Sequence, residues 1–142
     1  MISFEYYNPA KIVFGEDSEQ KLEGLLKANE VHSLLLVYSG EFIKELGIYK
    51  VIEDAVNDLG IKFISNGNVV PNPGVELVRE LVSEGKKNDV DFVLAVGGGS
   101  SINTAKAVAL GIPYEGDVWD FFEKGITPKE VLKIGVIATT AS

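Results

Sequence analysis

The sequence predicts an α/β fold, doubly wound about a mostly parallel sheet, and three observations carry that expectation. Short apolar runs alternate with helical patterns along the 142 residues. The runs are apolar at nearly every position, as in strands buried on both faces, rather than at every second one. The clearest of them, Phe92-Val-Leu-Ala-Val96, passes straight into Gly97-Gly98-Gly99 and then into a helical pattern. Strands alternating with helices bury their apolar surface best as a parallel sheet with helices on both sides.

The strands expected are Ser33–Tyr38, Ile61–Ser65 and Phe92–Val96, with Lys133–Ala138 a fourth, each bounded by turn residues. Asp17 or Ser18 is placed to cap a first helix whose Leu22, Leu25 and Leu26 mark one face. Ser39–Leu46 fits a short helix broken by Gly47. Tyr49–Leu59 carries Val51, Ile52, Ala55, Val56 and Leu59 at helical spacing, and Gly60 ends it as a left-handed cap. Asn72-Pro73 opens the next helix, with proline at its first position and Val75, Val78, Leu81 and Val82 on its inner face. A further helix follows Gly99, with Ile102, Ala105 and Ala109 inward. Phe4-Glu-Tyr-Tyr7 and Lys11-Ile-Val-Phe14 fit one or two extra N-terminal edge strands. No repeat, linker or low-complexity stretch divides the chain, so residues 1–142 read as one domain.

Composition narrows the function classes. A hydrophobic content of 46% with 24% charged residues is that of an ordinary soluble domain. No apolar run approaches the ~20 residues that span a bilayer, and the N-terminus lacks the basic and apolar regions of a signal peptide. A net charge of −8 argues against nucleic acid, whose phosphates need clustered Lys and Arg. Without cysteine there is no disulfide, thiol nucleophile or thiolate metal site, and a cytoplasmic setting is expected. Any phosphate held by so acidic a chain must rest mainly on backbone N–H groups.

The glycine run supplies such groups. A loop without side chains lets backbone approach a ligand closely, and the first helical turn has N–H groups with no partner of their own. The positive end of the helix dipole favours an anion there. Ser100 can cap this helix or give its hydroxyl to a phosphate oxygen. The Gly-Lys-Ser/Thr of a P-loop is absent, and the Rossmann fingerprint needs a glycine where Ile102 stands, in the first strand–helix turn. Asp117 therefore reads as a decoy for a ribose-binding acid. The plain alternative is a tight turn in which the glycines only relieve crowding, although three in a row are entropically costly without a reason.

Gly97-Gly98-Gly99-Ser100, then Thr104-Ala105-Lys106-Ala107, resembles the GGGSxxDxAKA signature of the iron-containing alcohol dehydrogenases. The resemblance extends to Asn8-Pro-Ala-Lys-Ile-Val-Phe-Gly15, Tyr38-Ser39-Gly40 with Ile43-Lys44, Pro71-Asn72-Pro73 and Gly116-Asp-Val-Trp-Asp-Phe-Phe122. These segments are similar to the butanol-dehydrogenase-like branch, and the likeness covers essentially the whole chain. It implies a Rossmann-like domain of the dehydroquinate-synthase-like superfamily, binding NAD(P). A C-terminal metal and substrate domain is expected to be absent from this chain.

By position, the resemblance assigns Gly97, Gly98, Gly99 and Ser100 to the pyrophosphate, and Ser39 and Gly40 to the adenosine ribose. Thr139 and Thr140 match a threonine-rich segment along the cofactor, and Asn72 is a weaker candidate for the adenine, with a helix cap as its equal alternative. Asn103 stands where the family usually has Asp near the nicotinamide. It keeps the shape and hydrogen bonding but not the charge. With no acidic residue at Ser39, the implied cofactor is NADP, with NAD still open, because Glu41 stands close enough to oppose a 2′-phosphate.

The implied reaction is hydride transfer between a small alcohol or aldehyde and the nicotinamide. The family's divalent metal, iron for this branch, is held by one Asp and three His in the other domain. His32, the single histidine, reads as a surface or core residue. The oligomeric state is left open, with a homodimer among the options, and Lys106 divides evenly between a phosphate contact and a solvated helix position. Asp117, Asp120 and Glu123 read as the solvated face of a short helix whose Trp119, Phe121 and Phe122 pack inward or onto the other domain. The rival readings are a zinc-type glycerol dehydrogenase, a dehydroquinate-synthase-type lyase and a nucleotide-binding module without catalysis. No metal ligand set is expected in this chain, and so no turnover by it alone.

Overall fold

A computed structural model describes residues 21–71 and 74–139, and it has the alternating order expected. The elements are α1 (Leu22–Ala28), β1 (Ser33–Tyr38), α2 (Phe42–Glu45), α3 (Ile48–Leu59), β2 (Lys62–Asn66), α4 (Val75–Lys87), β3 (Phe92–Gly97), α5 (Gly99–Gly111), α6 (Asp120–Glu123) and β4 (Lys133–Ala138). The four strands form one parallel sheet in the order β2-β1-β3-β4. The caps proposed at Asp17 or Ser18, the extra N-terminal strands and the Asn72-Pro73 helix start all lie outside the described residues.

Strand alternation places the two cores. Leu34, Leu36, Tyr38, Leu94 and Val96 point to one face, where Leu26 of α1, Ile43 of α2 and Ile52 and Val56 of α3 cover them. Leu35, Val37, Val93 and Ala95 point to the other, under Leu81 and Val82 of α4 and Ala105 and Val108 of α5. Both central strands, β1 and β3, are buried throughout, as their unbroken apolar runs require. The outer strands are less covered, and β4 leaves Val136 exposed. Reading all four strands as buried on both faces therefore holds only for the central pair.

The ends of the helices are set by local chemistry. Gly60 closes α3 at φ 67°, and Gly47 stands before it at φ 77°, conformations that carry no Cβ penalty in glycine. Asn29 and Asn88 close α1 and α4 alike, each donating its side-chain amide 2.8 Å to a carbonyl of the last turn. Of the stretch 39–46, only Phe42–Glu45 is helical, because Ser39 and Gly40 remain a turn with Gly40 at φ 69°. On the opposite face, α5 lies close against α4. A Cβ on Gly111 would come within 2.6 Å of a Val82 methyl.

At the N-terminal edge of the sheet, the Asp91 carboxylate accepts from the backbone N–H groups of His32 and Ser33, at 3.0 Å each. The segment after α5 folds back over α4. Arg79 donates two hydrogen bonds to Asp117, at 3.1 and 2.7 Å, and Lys86 donates to the Tyr114 carbonyl at 2.6 Å. Phe121 packs against the core and the Tyr114 ring, but Trp119 and Phe122 stack on each other and stay 43% and 57% exposed. The inward alternative for those two aromatics is thus overturned: α6 has a single turn, and only Phe121 faces the helix layer. Among the described residues no helix is long and apolar enough to cross a membrane.

Candidate functional site

The strand order defines a site before any side chain is considered. The chain passes from β1 outward to β2, then returns to place β3 on the other side of β1. The connections after β1 and β3 therefore leave in opposite directions and open a crevice at the C-terminal ends of those strands, where open α/β sheets hold ligands. Tyr38 and Val96 are register partners across this gap. The residues that follow them, Ser39-Gly40 and Gly97-Gly98-Gly99, form its two lips.

On the β3 side, Gly97 ends the strand at φ 137° and is buried, with the Ser101 hydroxyl 3.0 Å from where a Cβ would stand. No L side chain adopts that φ easily, so glycine here is set by backbone and space together. Gly98 is the N-cap of α5, in extended conformation, and the Ile102 N–H returns to its carbonyl at 3.1 Å. The N–H groups of Gly99, Ser100 and Ser101 have no acceptor within the helix and face out of its end. Gly99 is exposed, and a Cβ there would meet nothing within 4 Å. Open space, free donors and the positive end of a thirteen-residue helix coincide. An anion can be received by this arrangement.

Ser100 makes no capping hydrogen bond, since Gly98 is the N-cap and Ser100 already lies inside the first turn. That overturns the capping alternative for Ser100. Its carbonyl instead accepts the hydroxyl of buried Thr104 at 2.7 Å, one turn further on. Asn103 and Lys106 are exposed on α5. Thr139 follows β4 and donates its N–H to the Gly97 carbonyl at 3.2 Å, which brings it to the base of the same loop. Thr140 and Asn72 lie outside the described residues.

On the β1 side, the turn at Ser39-Gly40 is held by the end of β2. Ser39 bridges Asn68, Gly40 donates its N–H to the Gly67 carbonyl at 3.4 Å, and Asn66 Oδ1 accepts the Asn68 N–H at 2.9 Å. The Tyr38 ring lies on Gly67, where a Cβ would approach within 2.5 Å. Just beyond the turn, Lys44 pairs with Glu41 at 3.0 Å and lies 5.4 Å from the centre of the Tyr49 ring. The hydrogen bond from Lys44 to Glu41 holds the ammonium pKa above the ordinary lysine value.

Ser101 and the Asn66-Gly67-Asn68 turn carry no role in the sequence pattern, and Lys44 enters there only as part of the family-like segment. The Asn-Gly pair in that turn was the available signal. Asp117 lies against Arg79 on the outside of α4, on a different element from either lip of the crevice. Among the described residues no group of three or more His, Asp or Glu could hold a metal, and His32 is exposed at the foot of β1. The donor set of these residues does not fit a divalent metal.

Residues 9–142 match the family model described as iron-containing alcohol dehydrogenase. Over 142 residues the chain is 37% identical to a probable NADH-dependent butanol dehydrogenase of Bacillus subtilis, covering all of this chain and 36% of that protein. It is 28% identical to the NADPH-dependent aldehyde reductase YqhD of Escherichia coli, over 98% of this chain and 36% of the relative. The crystal structure of an NADH-dependent butanol dehydrogenase A from Thermotoga maritima superimposes with a TM-score of 0.89 at 38% identity, covering 99% of this chain and 35% of that one. The chain thus spans about 36% of the length of the curated relatives it matches. On these grounds the chain belongs to the iron-containing alcohol dehydrogenase family.

Proposed function

We propose that this chain is the nucleotide-binding part of an NAD(P)-dependent alcohol dehydrogenase or aldehyde reductase, which moves hydride between a nicotinamide and a small alcohol or aldehyde. The observation that carries the reading is the open N-terminus of α5 at the β1/β3 crevice, with Gly99 facing empty space. The relatives named above as butanol dehydrogenase and aldehyde reductase support the reaction class. Their printed names include both NADH and NADPH. NADP is the cofactor we favour, because neither Ser39 nor Gly40 offers a carboxylate to a ribose 2′-OH.

In this reading Gly97, Gly98, Gly99 and Ser100 hold the pyrophosphate, mainly through backbone N–H groups, and Ser39-Gly40 border the adenosine ribose. Thr139 and Thr140 run beside the cofactor, and Asn103 stands one turn along α5 toward the nicotinamide. The bound dinucleotide supplies the hydride acceptor, and these residues fix its position against the sheet. A divalent metal, iron in the family, belongs to the part of a full-length enzyme that these residues do not form. The proposed setting is cytoplasmic, and the proposed assembly of the full-length enzyme is a homodimer. Calorimetric titration of the 142-residue chain with NADP, NAD and FMN tests the reading. Saturable binding of the dinucleotides but not of FMN is expected. Binding of none overturns it, and measurable alcohol oxidation by this chain alone overturns the expectation that it has no turnover.

A further inference from the structure

We propose that Lys44, paired with Glu41 beside the Ser39-Gly40 turn, sets the preference between NADP and NAD by meeting the 2′-phosphate of the adenosine ribose. The inference rests on the reading that this turn borders that ribose. It settles the conflict at Glu41, whose carboxylate, taken alone, would repel a 2′-phosphate and accept from a 2′-OH.

Glu41 is not alone. Its carboxylate lies 3.0 Å from the Lys44 ammonium, and both side chains are open to solvent, 71% and 49% exposed. A lysine has three donors, and the bond to Glu41 occupies only one of them. The ammonium is also held from below by the Tyr49 ring, 5.4 Å from its centroid. Tyr49 in turn meets the Tyr38 ring edge-on at 6.0 Å and shares a 3.0 Å hydrogen bond with Ser65. Tyr38 is the last residue of β1 and rests on Gly67, whose carbonyl accepts the Gly40 N–H. Ile43, fully buried between the two charged residues, anchors the one-turn helix that carries them. These contacts link the cation to the turn that the proposed reading places beside the ribose.

A charge-assisted hydrogen bond from Lys44 to a phosphate dianion is stronger than one to the single 2′-OH of NAD, and the donors that Glu41 does not occupy are available for it. Glu41 and Lys44 then pull the cofactor preference in opposite directions. The test titrates the 142-residue chain and its Lys44→Met, Lys44→Arg and Glu41→Gln variants with NADP and with NAD. Gly99→Ala serves as the control that weakens both. The NADP:NAD affinity ratio is expected to fall at least roughly tenfold in Lys44→Met, to be retained in Lys44→Arg and to rise in Glu41→Gln. If Gly99→Ala weakens both dinucleotides but Lys44→Met leaves the ratio unchanged, this proposal falls and the functional reading stands. If the unaltered chain binds neither dinucleotide, both fall together.

Discussion

Replacing Gly97 and Gly99 by alanine, one at a time, should separate what the glycine loop does for the fold from what it does for a ligand. At Gly97 the backbone φ is 137°, and the new methyl would sit 3.0 Å from the Ser101 hydroxyl beneath it. Holding an L residue in a sparsely populated backbone region costs about 1–3 kcal/mol, and Ser101, itself only 2% exposed, has little room to move away. For a domain of this size that is a fall in unfolding midpoint of roughly 3–12 °C. At Gly99 the methyl meets nothing within 4 Å, and alanine is a better helix former by up to about 1 kcal/mol. The midpoint of that variant should stay level or rise slightly. A Cβ leans toward the N-terminus of its helix, however, so this methyl projects into the space ahead of α5. Dinucleotide affinity should fall roughly tenfold, about 1.4 kcal/mol. Thermal unfolding followed by circular dichroism and calorimetric titration measure the two quantities on the same samples. An unfolding midpoint unchanged in Gly97→Ala, or an affinity unchanged in a folded Gly99→Ala, would refute the division of labour.

The two remaining predictions concern stability. Leu36, fully buried in the central strand β1, should cost about 2–5 kcal/mol when cut to alanine, measured by urea unfolding; a loss under 1 kcal/mol would mean that the helix layer collapses into the cavity. The Asp117 carboxyl is held below the ordinary aspartate range by its hydrogen bonds from Arg79. Its contribution is therefore present above the unfolded-state value and is lost as pH falls through the folded one. Asp117→Asn should lower the unfolding midpoint slightly and equally from pH 5 to 8, with the difference closing below roughly pH 4. A difference that persists at low pH would assign the effect to shape rather than charge.

The sequence made the central strands legible because burial on both faces leaves no freedom: Leu34–Val37 and Phe92–Val96 can be little other than apolar. Helix ends marked by Gly60 were equally readable, since a left-handed cap has one obvious residue. The outer strands misled by degree. Burial on both faces was inferred for β4 from its composition, but Lys133, Val136 and Ala138 are exposed on an outer strand, and position in a sheet is not written in a strand's own residues. The strand order was likewise beyond reach. The fingerprint test showed only that the glycine loop follows a later strand than usual. That β3 lies directly beside β1 comes from the crossovers, not from any local pattern. The surroundings of Ser101 and Lys44 were unreadable for the same reason: they depend on Gly97 above one and on Glu41 and Tyr49 beside the other.

That strand order also explains how a chain of net charge −8 can offer a cradle to a polyanion. Two loops meet at the crevice, and neither needs a formal charge to receive a pyrophosphate. The donors on the β3 side are backbone N–H groups aligned by α5, whose dipole acts over the first turn only. Several acidic residues are engaged elsewhere: Asp91 serves the foot of the sheet, and Asp117 and Asp120 are engaged with Arg79 and Tyr114 on the outer layer. Beside the Ser39-Gly40 turn, Glu41 carries its own counter-ion in Lys44. The long-range repulsion of the remaining charges is damped over about 8–10 Å at physiological salt, whereas the N–H donors act at contact distance. In the proposed reading, pyrophosphate recognition rests on backbone geometry, which an acidic composition leaves untouched. In the same reading, side-chain charge decides only the finer matter of the ribose.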